Sequence, residues 1–474
     1  MLFSSNTFLY FFLPLVLGLY FVSPRAARNS VLLAASLIFY AWGETTWVLV
    51  MLASILFNWG IGRLLGDVGS RAVAARKRIL VVAVVGNLAV LGFFKYGGFL
   101  VENINRLLEP IGAPQLAPIE AHLPLGISFF TFHALSYVID VYRGTTPHQR
   151  RLDTLALYIC LFPQLIAGPI IRYGHVHEQL ARRTVTLDDF TTGVTRFVQG
   201  LGKKVLIANP VGAVADAVFS LPADERGVAV AWVGIIAYTV QIYFDFSGYS
   251  CMAIGLARMF GFRFRENFEH PYIASSMQDF WRRWHISLSS WFRDYLYIPL
   301  GGNRGTRRRT FLNLYLVFLL CGLWHGASWA FVAWGLVHGT FLALERTSFG
   351  AFIHGLPRAL RHTYVLVAVL MAWVLFRAAT IGDAVDYYGS LFGLGGAGVN
   401  WDQASLYLDH YTLIALVLGI AFSAPLRAWL VGKATGMSLT LSRWLRPALV
   451  TALFGLCAIQ LAAQSYNPFI YFRF

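Results

Sequence analysis

A long apolar run occupies residues 311–345 and reads FLNLYLVFLLCGLWHGASWAFVAWGLVHGTFLALE. It is too long for one simple membrane span, which needs about 20 apolar residues. The run nevertheless contains two histidines, His325 and His338. A histidine is costly in hydrocarbon unless it faces a partner or a polar cavity, so each is a candidate functional group. The alternative, a histidine that only forms a hydrogen bond between helices, stays open.

The rest of the chain shares this apolar character. Of the 474 residues, 57% are hydrophobic and 13% are charged, whereas a soluble domain has roughly 25% charged residues. Too little polar surface is left to cover a water-soluble globule. The composition therefore predicts a polytopic integral membrane protein. Because no long polar linker interrupts the apolar segments, we expect a single membrane domain over residues 1–474.

Segment length predicts about eleven transmembrane helices, give or take about two. The candidate spans are residues 5–23, 30–42 with 47–62, 79–98, 123–142, 153–171, 195–219, 227–262, 311–345, 363–378, 409–424 and 446–464. The pieces 30–42 and 47–62 are short, and we expect them to form a tight helical hairpin that turns at Gly43–Thr46.

Charge distribution predicts the orientation of the first spans. The 38 Lys and Arg residues against 23 Asp and Glu give a net charge of +15, and the basic residues cluster in short breaks between apolar runs. The breaks 24–29 and 63–78 are therefore expected in the cytoplasm, whereas Gly43–Thr46 and loop 99–121 are expected outside. The first span is expected to be uncleaved, with its N-terminus outside. No nucleic-acid-binding motif accompanies the positive charge, so we expect no nucleic-acid partner. The expected partners of the spans are membrane lipids.

Residues 263–304 depart from the apolar pattern because they are rich in arginine and tryptophan. If this stretch is helical, Trp281, Trp284, Leu288, Trp291 and Tyr295 make one apolar stripe, and Arg282, His285, Ser289 and Arg293 make an adjacent polar stripe. One interpretation is an interfacial helix whose arginines reach lipid phosphates. The other is that His285 lines a site where Arg282 and Arg293 attract the phosphates of an anionic donor. Both interpretations stay open.

The two histidines of the long run lie in similar surroundings, Gly322-Leu323-Trp324-His325-Gly326 and Gly335-Leu336-Val337-His338-Gly339. Gly322 and Gly326 form a GxxxG motif, which allows another helix to approach closely. In one straight helix the histidines would lie about 20 Å apart and on roughly opposite faces. At most one of them then belongs to a reaction centre, unless the helix breaks. Spacing alone does not choose between them.

Several further polar groups lie in apolar surroundings. Asp245 is interpreted as a structural hydrogen-bond anchor. Lys203 and Lys204 are expected to end a helix at the membrane interface rather than to contact donor phosphates. The four cysteines have no CxxC or metal-ligand spacing, so neither a disulfide framework nor a metal site is expected.

A set of short motifs in a fixed order identifies a family resemblance. The motifs are Met1-Leu2-Phe3-Ser4-Ser5-Asn6, Leu123-Pro124-Leu125-Gly126-Ile127-Ser128-Phe129, Phe162-Pro163-Gln164-Leu165-Ile166-Ala167-Gly168-Pro169, Tyr243-Phe244-Asp245-Phe246-Ser247-Gly248-Tyr249-Ser250, Phe280-Trp281-Arg282-Arg283-Trp284-His285-Ile286-Ser287-Leu288-Ser289, Gly301-Gly302-Asn303-Arg304 and Gly322-Leu323-Trp324-His325-Gly326. The chain resembles the membrane-bound O-acyltransferase (MBOAT) family, and most closely its bacterial alginate O-acetylation branch. Each motif alone is weak, but their order over nearly the whole chain is highly specific.

The resemblance implies an all-α fold with re-entrant or interfacial helices around a central tunnel or funnel. It implies that His325 is the family's essential histidine and His285 its second active-site histidine, which favours His325 over His338. Cys251 stands where the branch usually has aspartate, so an acid-dependent role at that position is in doubt.

The implied activity is an acyltransferase of the bacterial inner membrane. Acetyl groups from a cytoplasmic donor, expected to be acetyl-CoA, are passed on for O-acetylation of an exopolysaccharide such as alginate by periplasmic acetyltransferase partners. No permanently bound cofactor is expected. Two alternatives are kept: the D-alanyl-transfer branch of the same family, and a proton-coupled transporter in which His325 relays protons with Asp245. A transporter usually has inverted repeats, and we find no convincing internal repeat.

Overall fold

Helices account for every regular element in the part of the chain that the computed structural model describes, residues 1–67, 73–395, 398–426, 439–463 and 466–470. This chain forms two compact units. The first unit comprises Met1–Val194 with Ala253–Arg265, and the second comprises Thr195–Met252 with Glu266–Phe474. The single domain over residues 1–474 stays a prediction, as does the central tunnel or funnel.

The first unit contains the helices of the N-terminal part of the chain. They are α1 (Leu13–Val22, preceded by a π-helical turn at Phe8–Phe12), α2 (Arg28–Ala41), α3 (Val48–Asp67), α4 (Val73–Leu108), α5 (Ile127–Arg143), α6 (Leu152–Cys160), α7 (Phe162–Leu165), α8 (Tyr173–Ala181) and α9 (Leu187–Gly202), which continues into the second unit. As predicted, α2 and α3 are separate helices on either side of Gly43–Thr46. The span predicted at 79–98 is longer, because α4 continues to Leu108 through the start of the expected outer loop.

Aromatic packing holds the start of the chain within the first unit. Phe3, Phe8, Phe12 and Phe39 are buried and their rings lie within about 6 Å of one another in a chain of contacts that also includes Phe162. These rings join the N-terminal turn to α2 and α7. Part of the core of this unit is therefore made by aromatic side chains from segments far apart in sequence.

The span predicted at 153–171 is wrong as a single helix. Helix α6 ends at Cys160, Leu161 leaves the helical conformation with ψ 114°, and α7 is a short helix that begins at Phe162. Pro163 explains the break, because its ring would clash with a carbonyl one turn earlier and it has no N–H to donate. The freed N–H of Phe162 donates to Ser36 Oγ at 3.1 Å.

The second unit contains the helices that carry the candidate site residues. They are α10 (Asn209–Phe219, preceded by a π-helical turn at Lys203–Ala208), α11 (Val228–Met259, shared with the first unit), α12 (Met277–Arg283), α13 (Ile286–Phe292, followed by a π-helical turn at Arg293–Tyr297), α14 (Arg307–His325), α15 (Trp329–Leu344), α16 (Ser348–Gly355), α17 (Arg358–Arg377), α18 (Ile381–Leu391), α19 (Trp401–Ser405), α20 (His410–Phe422) and α21 (Leu439–Ala463). Glu345, directly after α15, accepts the N–H groups of Met277 and Gln278 and so fixes the start of α12.

Five helices in the described ranges are long and apolar enough to cross a membrane, namely Val48–Gly66, Val73–Ile111, Val228–Met259, Arg358–Arg377 and Trp444–Ala463. Four shorter apolar helices accompany them, at Phe8–Val22, Arg28–Ala41, Trp329–Leu344 and His410–Phe422. The all-helical, multi-pass membrane character is confirmed. The count of about eleven spans is not confirmed.

Candidate active site

The long apolar run folds into a helical hairpin. Helix α14 ends at His325, the backbone is extended at Gly326, and α15 begins at Trp329 after Ser328. The Ser328 hydroxyl caps α15 by accepting the N–H of Phe331 at 3.4 Å. The run is therefore two helices, and the distance that a single straight helix would impose between His325 and His338 does not apply.

Two glycines allow the helices of the hairpin to pack backbone to backbone. A Cβ at Gly322 would lie 2.3 Å from the carbonyl oxygen of Phe331, and a Cβ at Gly335 would lie 2.2 Å from the carbonyl oxygen of Phe318. No side chain fits at those distances. The predicted close approach at Gly322 is confirmed, and its partner glycine is Gly335.

His325 lies at the end of α14 among aromatic rings, with 4% of its surface exposed. Its ring centroid is 5.0 Å from each of the rings of Trp324, Trp334 and Phe376. Tryptophan and phenylalanine rings are rigid and fix the position of the imidazole. The aromatic side chains therefore hold His325 in one place at the point where its helix ends.

His325 lines a small, largely enclosed cavity within the second unit. The other lining residues are Ile242, Phe246, Trp284, Trp334, Trp373, Phe376 and Ile470. The space open to the centre of a water molecule is ≈ 10 Å³, which is room for about one water. The imidazole is the one ionisable side chain among these eight. A group that enters this cavity therefore meets a single ionisable side chain surrounded by aromatic and aliphatic walls.

His285 lies at a break between two short helices. Its φ of 42° and ψ of 55° are left-handed, a conformation that costs a residue with a Cβ roughly 1–2 kcal/mol. Helix α12 ends at Arg283 and α13 begins at Ile286, so the continuous helix with two stripes expected in this stretch is wrong. The five aromatic and leucine residues of the expected apolar stripe are nevertheless buried.

Asn267 holds the strained backbone and the ring of His285. Its Oδ1 accepts the N–H of Ser287 at 3.1 Å and the Ser287 hydroxyl at 2.9 Å, and its carbonyl accepts the N–H of Ile286 at 2.9 Å. The same Oδ1 lies 3.2 Å from His285 Nδ1. The backbone N–H of Ser287 can only donate, so the Asn267 side-chain atom that it contacts is the amide oxygen and not the nitrogen. An oxygen only accepts here, so Nδ1 of His285 must carry the proton.

The remaining nitrogen of His285 is therefore a lone-pair acceptor in the neutral ring. His285 is fully buried, and its Nε2 has no hydrogen-bond partner among the described residues. Its ring packs edge-on against Phe246, a cavity-lining residue, with centroids 4.6 Å apart. The ring also lies 6.1 Å from Trp324, the neighbour of His325. The structure thus brings both predicted histidines to one aromatic cluster.

The two arginines predicted beside His285 point elsewhere. Arg282 and Arg293 are exposed, and neither lines the cavity. Arg293 pairs with its neighbour Asp294 at 2.7 Å. The break at His285 separates the arginines from the histidine, because the expected stripe required one continuous helix. Their contact with donor phosphates stays a prediction.

His338 is placed differently from His325, although both rings touch Trp334. Its centroid lies 4.8 Å from that of Trp334, and its Nδ1 accepts a hydrogen bond from Trp281 Nε1 at 3.2 Å. His338 is fully buried in the middle of α15 and does not line the cavity. The broken helix brings the two histidines near one another, and only His325 reaches the cavity.

The expectation that the lysine pair ends a helix at the membrane interface is wrong for Lys204, which is buried, and stays a prediction for Lys203. Lys203 and Lys204 lie in the π-helical turn that joins α9 to α10. Lys204 is buried and pairs with Asp245 at 2.7 Å, which agrees with the structural role expected for Asp245. Lys203 Nζ lies 3.4 Å from Cys251 Sγ. A positive neighbour at Cys251 fits a position where the resemblance leads us to expect aspartate.

Sequence reasoning missed Asn267 and most of the cavity wall. Asn267 lies in an irregular loop, where periodicity carries no information, and its role depends on a fold that brings the loop to His285. A signal did exist for Trp373 and Phe376, which are three residues apart on α17 and therefore share a face.

A family model and full-length relatives match this chain. The model described as the membrane-bound O-acyltransferase family matches residues 125–381. The chain belongs to this family. The probable alginate O-acetylase AlgI of Azotobacter vinelandii is 45% identical over 506 aligned residues, and that of Pseudomonas putida is 43% identical over 498, each with 100% of both chains covered. A peptidoglycan O-acetyltransferase of Helicobacter pylori is 33% identical over 90% of this chain and 86% of its own length.

These matches establish the MBOAT protein as a membrane acyltransferase, as predicted. The matched region, residues 125–381, includes His285, His325 and His338. Which of the three takes part in acyl transfer is a separate question. The roles of His325 and His285 stay predictions that the geometry now makes specific.

Proposed function

We propose that this MBOAT protein is an O-acetyltransferase of the bacterial inner membrane that serves the acetylation of an exopolysaccharide such as alginate. Acetyl-CoA is the proposed cytoplasmic donor, and periplasmic acetyltransferase proteins are the proposed partners that complete the transfer. Full-length similarity to relatives named alginate O-acetylase supports the polymer. The position of His325 in an apolar cavity is the structural observation that supports acyl transfer most directly.

His325 is proposed as the general base. A neutral imidazole accepts the proton of an acceptor hydroxyl while the oxygen attacks the carbonyl carbon of the thioester. The new C–O bond forms, the C–S bond breaks, and the leaving thiolate takes the proton from the imidazolium. The products are the acetyl ester and the free thiol of the donor. Apolar walls exclude water, which would otherwise compete with the acceptor hydroxyl.

His285 is proposed to orient the acceptor. Its Nδ1–H is committed to Asn267, so in the neutral ring its Nε2 accepts a hydrogen bond and cannot donate one. An oxyanion needs donors. Of the two roles expected for His285, orienting the acceptor therefore fits better than stabilising the oxyanion. The single proton of the reacting hydroxyl goes to His325, so the Nε2 of His285 is proposed to accept a hydrogen bond from a second donor group of the acceptor.

The cavity also predicts that substrate binding is accompanied by a rearrangement. Space for about one water does not admit an acetyl thioester. Some of the lining side chains must move when the donor enters. The aromatic residues contact one another, as in the stacked rings of Trp334 and Trp373 with centroids 6.3 Å apart, so they are expected to move less than the aliphatic ones.

Reconstituted protein tests this function. Proteoliposomes that contain the purified chain receive acetyl-CoA labelled in the acetyl group, with and without a periplasmic acetyltransferase partner, and label is measured on protein and on added alginate. We expect label on alginate only when chain and partner are both present. No transfer from acetyl-CoA under any of these conditions contradicts the proposed donor.

The same preparation tests the two alternatives. Labelled D-alanine on a thioester carrier protein, supplied with a teichoic acid acceptor, tests the D-alanyl-transfer branch. Uptake of the polymer or of protons in the absence of any acyl donor tests a transporter. We expect neither activity, because the full-length relatives with the two highest identities quoted above are both named O-acetylases.

A further inference from the structure

A short segment, Tyr466–Ile470, is attached to the second unit through every one of its residues. Phe469 and Ile470 are buried. The Tyr466 hydroxyl donates to Asp216 at 2.7 Å, and Asn209 Nδ2 lies 3.3 Å from Asn467 Oδ1. The ring of Phe469 stacks on Tyr249 with centroids 4.5 Å apart. These contacts place the segment on α10 and α11.

The buried ion pair Lys204–Asp245 is completed by the backbone of this segment. Lys204 Nζ donates to the carbonyl oxygen of Pro468, and Asp245 Oδ2 accepts the N–H of Ile470 at 2.9 Å. A buried ion pair is stable only when its remaining donors and acceptors are satisfied. Each ion therefore has one partner in the pair and one on the segment. The pair and the segment depend on one another.

The same attachment brings one side chain into the reaction centre. Ile470 lines the cavity together with His325. Five of the remaining six lining residues are aromatic and belong to helices or to the break at His285, and the sixth is Ile242 of α11. The other seven lining residues belong to helices between α11 and α17 or to the turn between α12 and α13. Ile470 is the one of the eight that belongs to the segment Tyr466–Ile470. Its backbone N–H donates to Asp245, the partner of Lys204 in the buried ion pair.

We propose that Lys204 and Asp245 are positioning residues that seat the segment Tyr466–Ile470, and that Ile470 thereby sets the size of the acyl group that reaches His325. The proposal deepens the proposed acetyl transfer and rests on it. A branched side chain at this wall leaves room for the two-carbon acetyl group once the cavity opens and excludes longer chains. An enlarged wall admits them.

Competition between acyl donors tests the size selection. Reconstituted protein receives acetyl-CoA and propionyl-CoA together, and the ratio of propionyl to acetyl transferred is measured. We expect Ile470→Ala to raise this ratio by about tenfold or more, since one methylene in an apolar pocket changes selectivity by that order. Ile470→Val removes one methyl group and should raise the ratio less. The matched control is Ile353→Ala, because Ile353 is an equally buried isoleucine of α16 that does not line the cavity. An unchanged ratio in both Ile470 variants contradicts the size selection.

Chemical labelling tests, independently of acyl transfer, whether Lys204 and Asp245 hold the segment Tyr466–Ile470 in place. Ile470→Cys is treated with a maleimide in detergent, and the parent protein, whose four cysteines are buried, supplies the background. Labelling should be slow with the ion pair intact and roughly tenfold faster in the Lys204→Met/Asp245→Leu background, because the segment opens locally. Replacing both ions avoids an unpaired buried charge, so this variant is expected to fold.

The control for the labelling test is Arg196→Gln/Glu266→Gln, which removes another ion pair of the same unit. It should leave the labelling of Ile470→Cys slow. Equal labelling rates in the intact and Lys204→Met/Asp245→Leu backgrounds contradict the proposal that this ion pair holds the segment. The labelling measurement needs no acyl donor, so it tests whether Lys204 and Asp245 hold the segment even if the protein transfers no acetyl group. If the protein transfers acetyl groups but the Ile470 variants leave the propionyl-to-acetyl ratio unchanged, only the proposed role of Ile470 is contradicted.

Discussion

Two segments of this protein have nearly the same sequence and different surroundings. Gly322–Gly326 and Gly335–Gly339 each place a histidine three residues after one glycine and directly before another. His325 is the last residue of α14 and lines a cavity, whereas His338 lies within α15 and bonds to Trp281. Both rings pack against Trp334 at similar distances. The difference lies in where each helix ends.

A helix end can leave one side of a side chain uncovered by its own helix, whereas a helix interior does not. After His325 the backbone is extended at Gly326, so the next turn of helix does not cover the imidazole. His338 has a full turn of α15 on each side and is enclosed by rings, including Phe280, Trp281 and Trp334. We therefore propose that His325 is positioned for chemistry and that His338 is positioned for packing. Substitutions at the two histidines and at the neighbouring glycines test that assignment.

Loss of the imidazole at the helix end is expected to have the largest effect. His325→Ala should lower acetyl transfer by roughly 10²–10⁴-fold, the usual contribution of a general base. The measurement is transfer per folded molecule, with folding checked by elution from a sizing column in detergent. His325→Gln keeps much of the side-chain volume and should be equally inactive. Transfer by either folded variant at near the wild-type rate would contradict the role of His325.

Substitution of the paired glycines that bring the two segments together is expected to have the second largest effect. Gly322→Ala and Gly335→Ala each place a Cβ about 2 Å from a carbonyl oxygen of the facing helix, so the helices must separate. We expect a loss of roughly 1–3 kcal/mol in stability, or more, seen as a lower melting temperature in detergent. Gly389→Ala on α18 is the control, since a Cβ there meets no atom within 4 Å. Equal melting temperatures for all three variants would show that the close packing is not needed.

Removal of the second histidine should lower stability and leave the chemistry largely intact. His338→Ala creates a cavity and leaves Trp281 Nε1 without its acceptor, at a cost of roughly 2–4 kcal/mol. Transfer per folded molecule should stay within about threefold of wild type, because His338 does not line the cavity. Adding Trp281→Phe should recover about 1 kcal/mol, since it removes the unsatisfied donor. A loss of transfer as large as that of His325→Ala would place both histidines in the reaction.

The sequence predicted the membrane class and the helical architecture, and it supplied His285 and His325 as candidate site residues, but it did not predict how the helices break. Apolar length and charge are local properties, so the span predicted at 227–262 corresponds to α11, which is long and apolar enough to cross a membrane. Pro163 marks the break at Leu161 in the sequence itself, but the backbone groups freed at Leu161 and at His285 need partners that only the fold supplies. Ser36 and Asn267 provide those partners from distant positions in the chain. Apolar length carried the predicted span 153–171 through Leu161, and helical periodicity carried the expected stripes through His285, because neither signal contains information about such partners.

The site illustrates the same limit. The choice of His325 over His338 came from the family resemblance, since a straight helix gave no reason to prefer either. The hydrogen bonds of Asn267 that fix the ring of His285, and the seat of Ile470 on Lys204 and Asp245, join residues separated by 18 to 264 positions. Such contacts follow from tertiary packing alone. The sequence pattern had suggested an interfacial position for Lys204, whereas the buried carboxylate of Asp245 explains why it lies inside.

The glycines that follow the two histidines provide the finest test of the comparison. A Cβ at Gly326 would lie 2.2 Å from the ring of Phe331, which packs against Phe376 with centroids 5.1 Å apart. A Cβ at Gly339 would meet its nearest atoms, in Phe318 and Tyr315, at an ordinary 3.4 Å. Gly326→Ala should therefore displace a ring beside the cavity and lower transfer a few-fold.

Gly339→Ala should raise the stability of the protein and leave transfer unchanged. The residue lies inside α15, where alanine is favoured over glycine by roughly 0.5–1 kcal/mol. Melting temperature and transfer rate measured on the same two preparations separate the outcomes. If Gly326→Ala leaves transfer unchanged while Gly339→Ala lowers it, the reaction centre lies beside His338, and the distinction drawn from the helix ends is wrong.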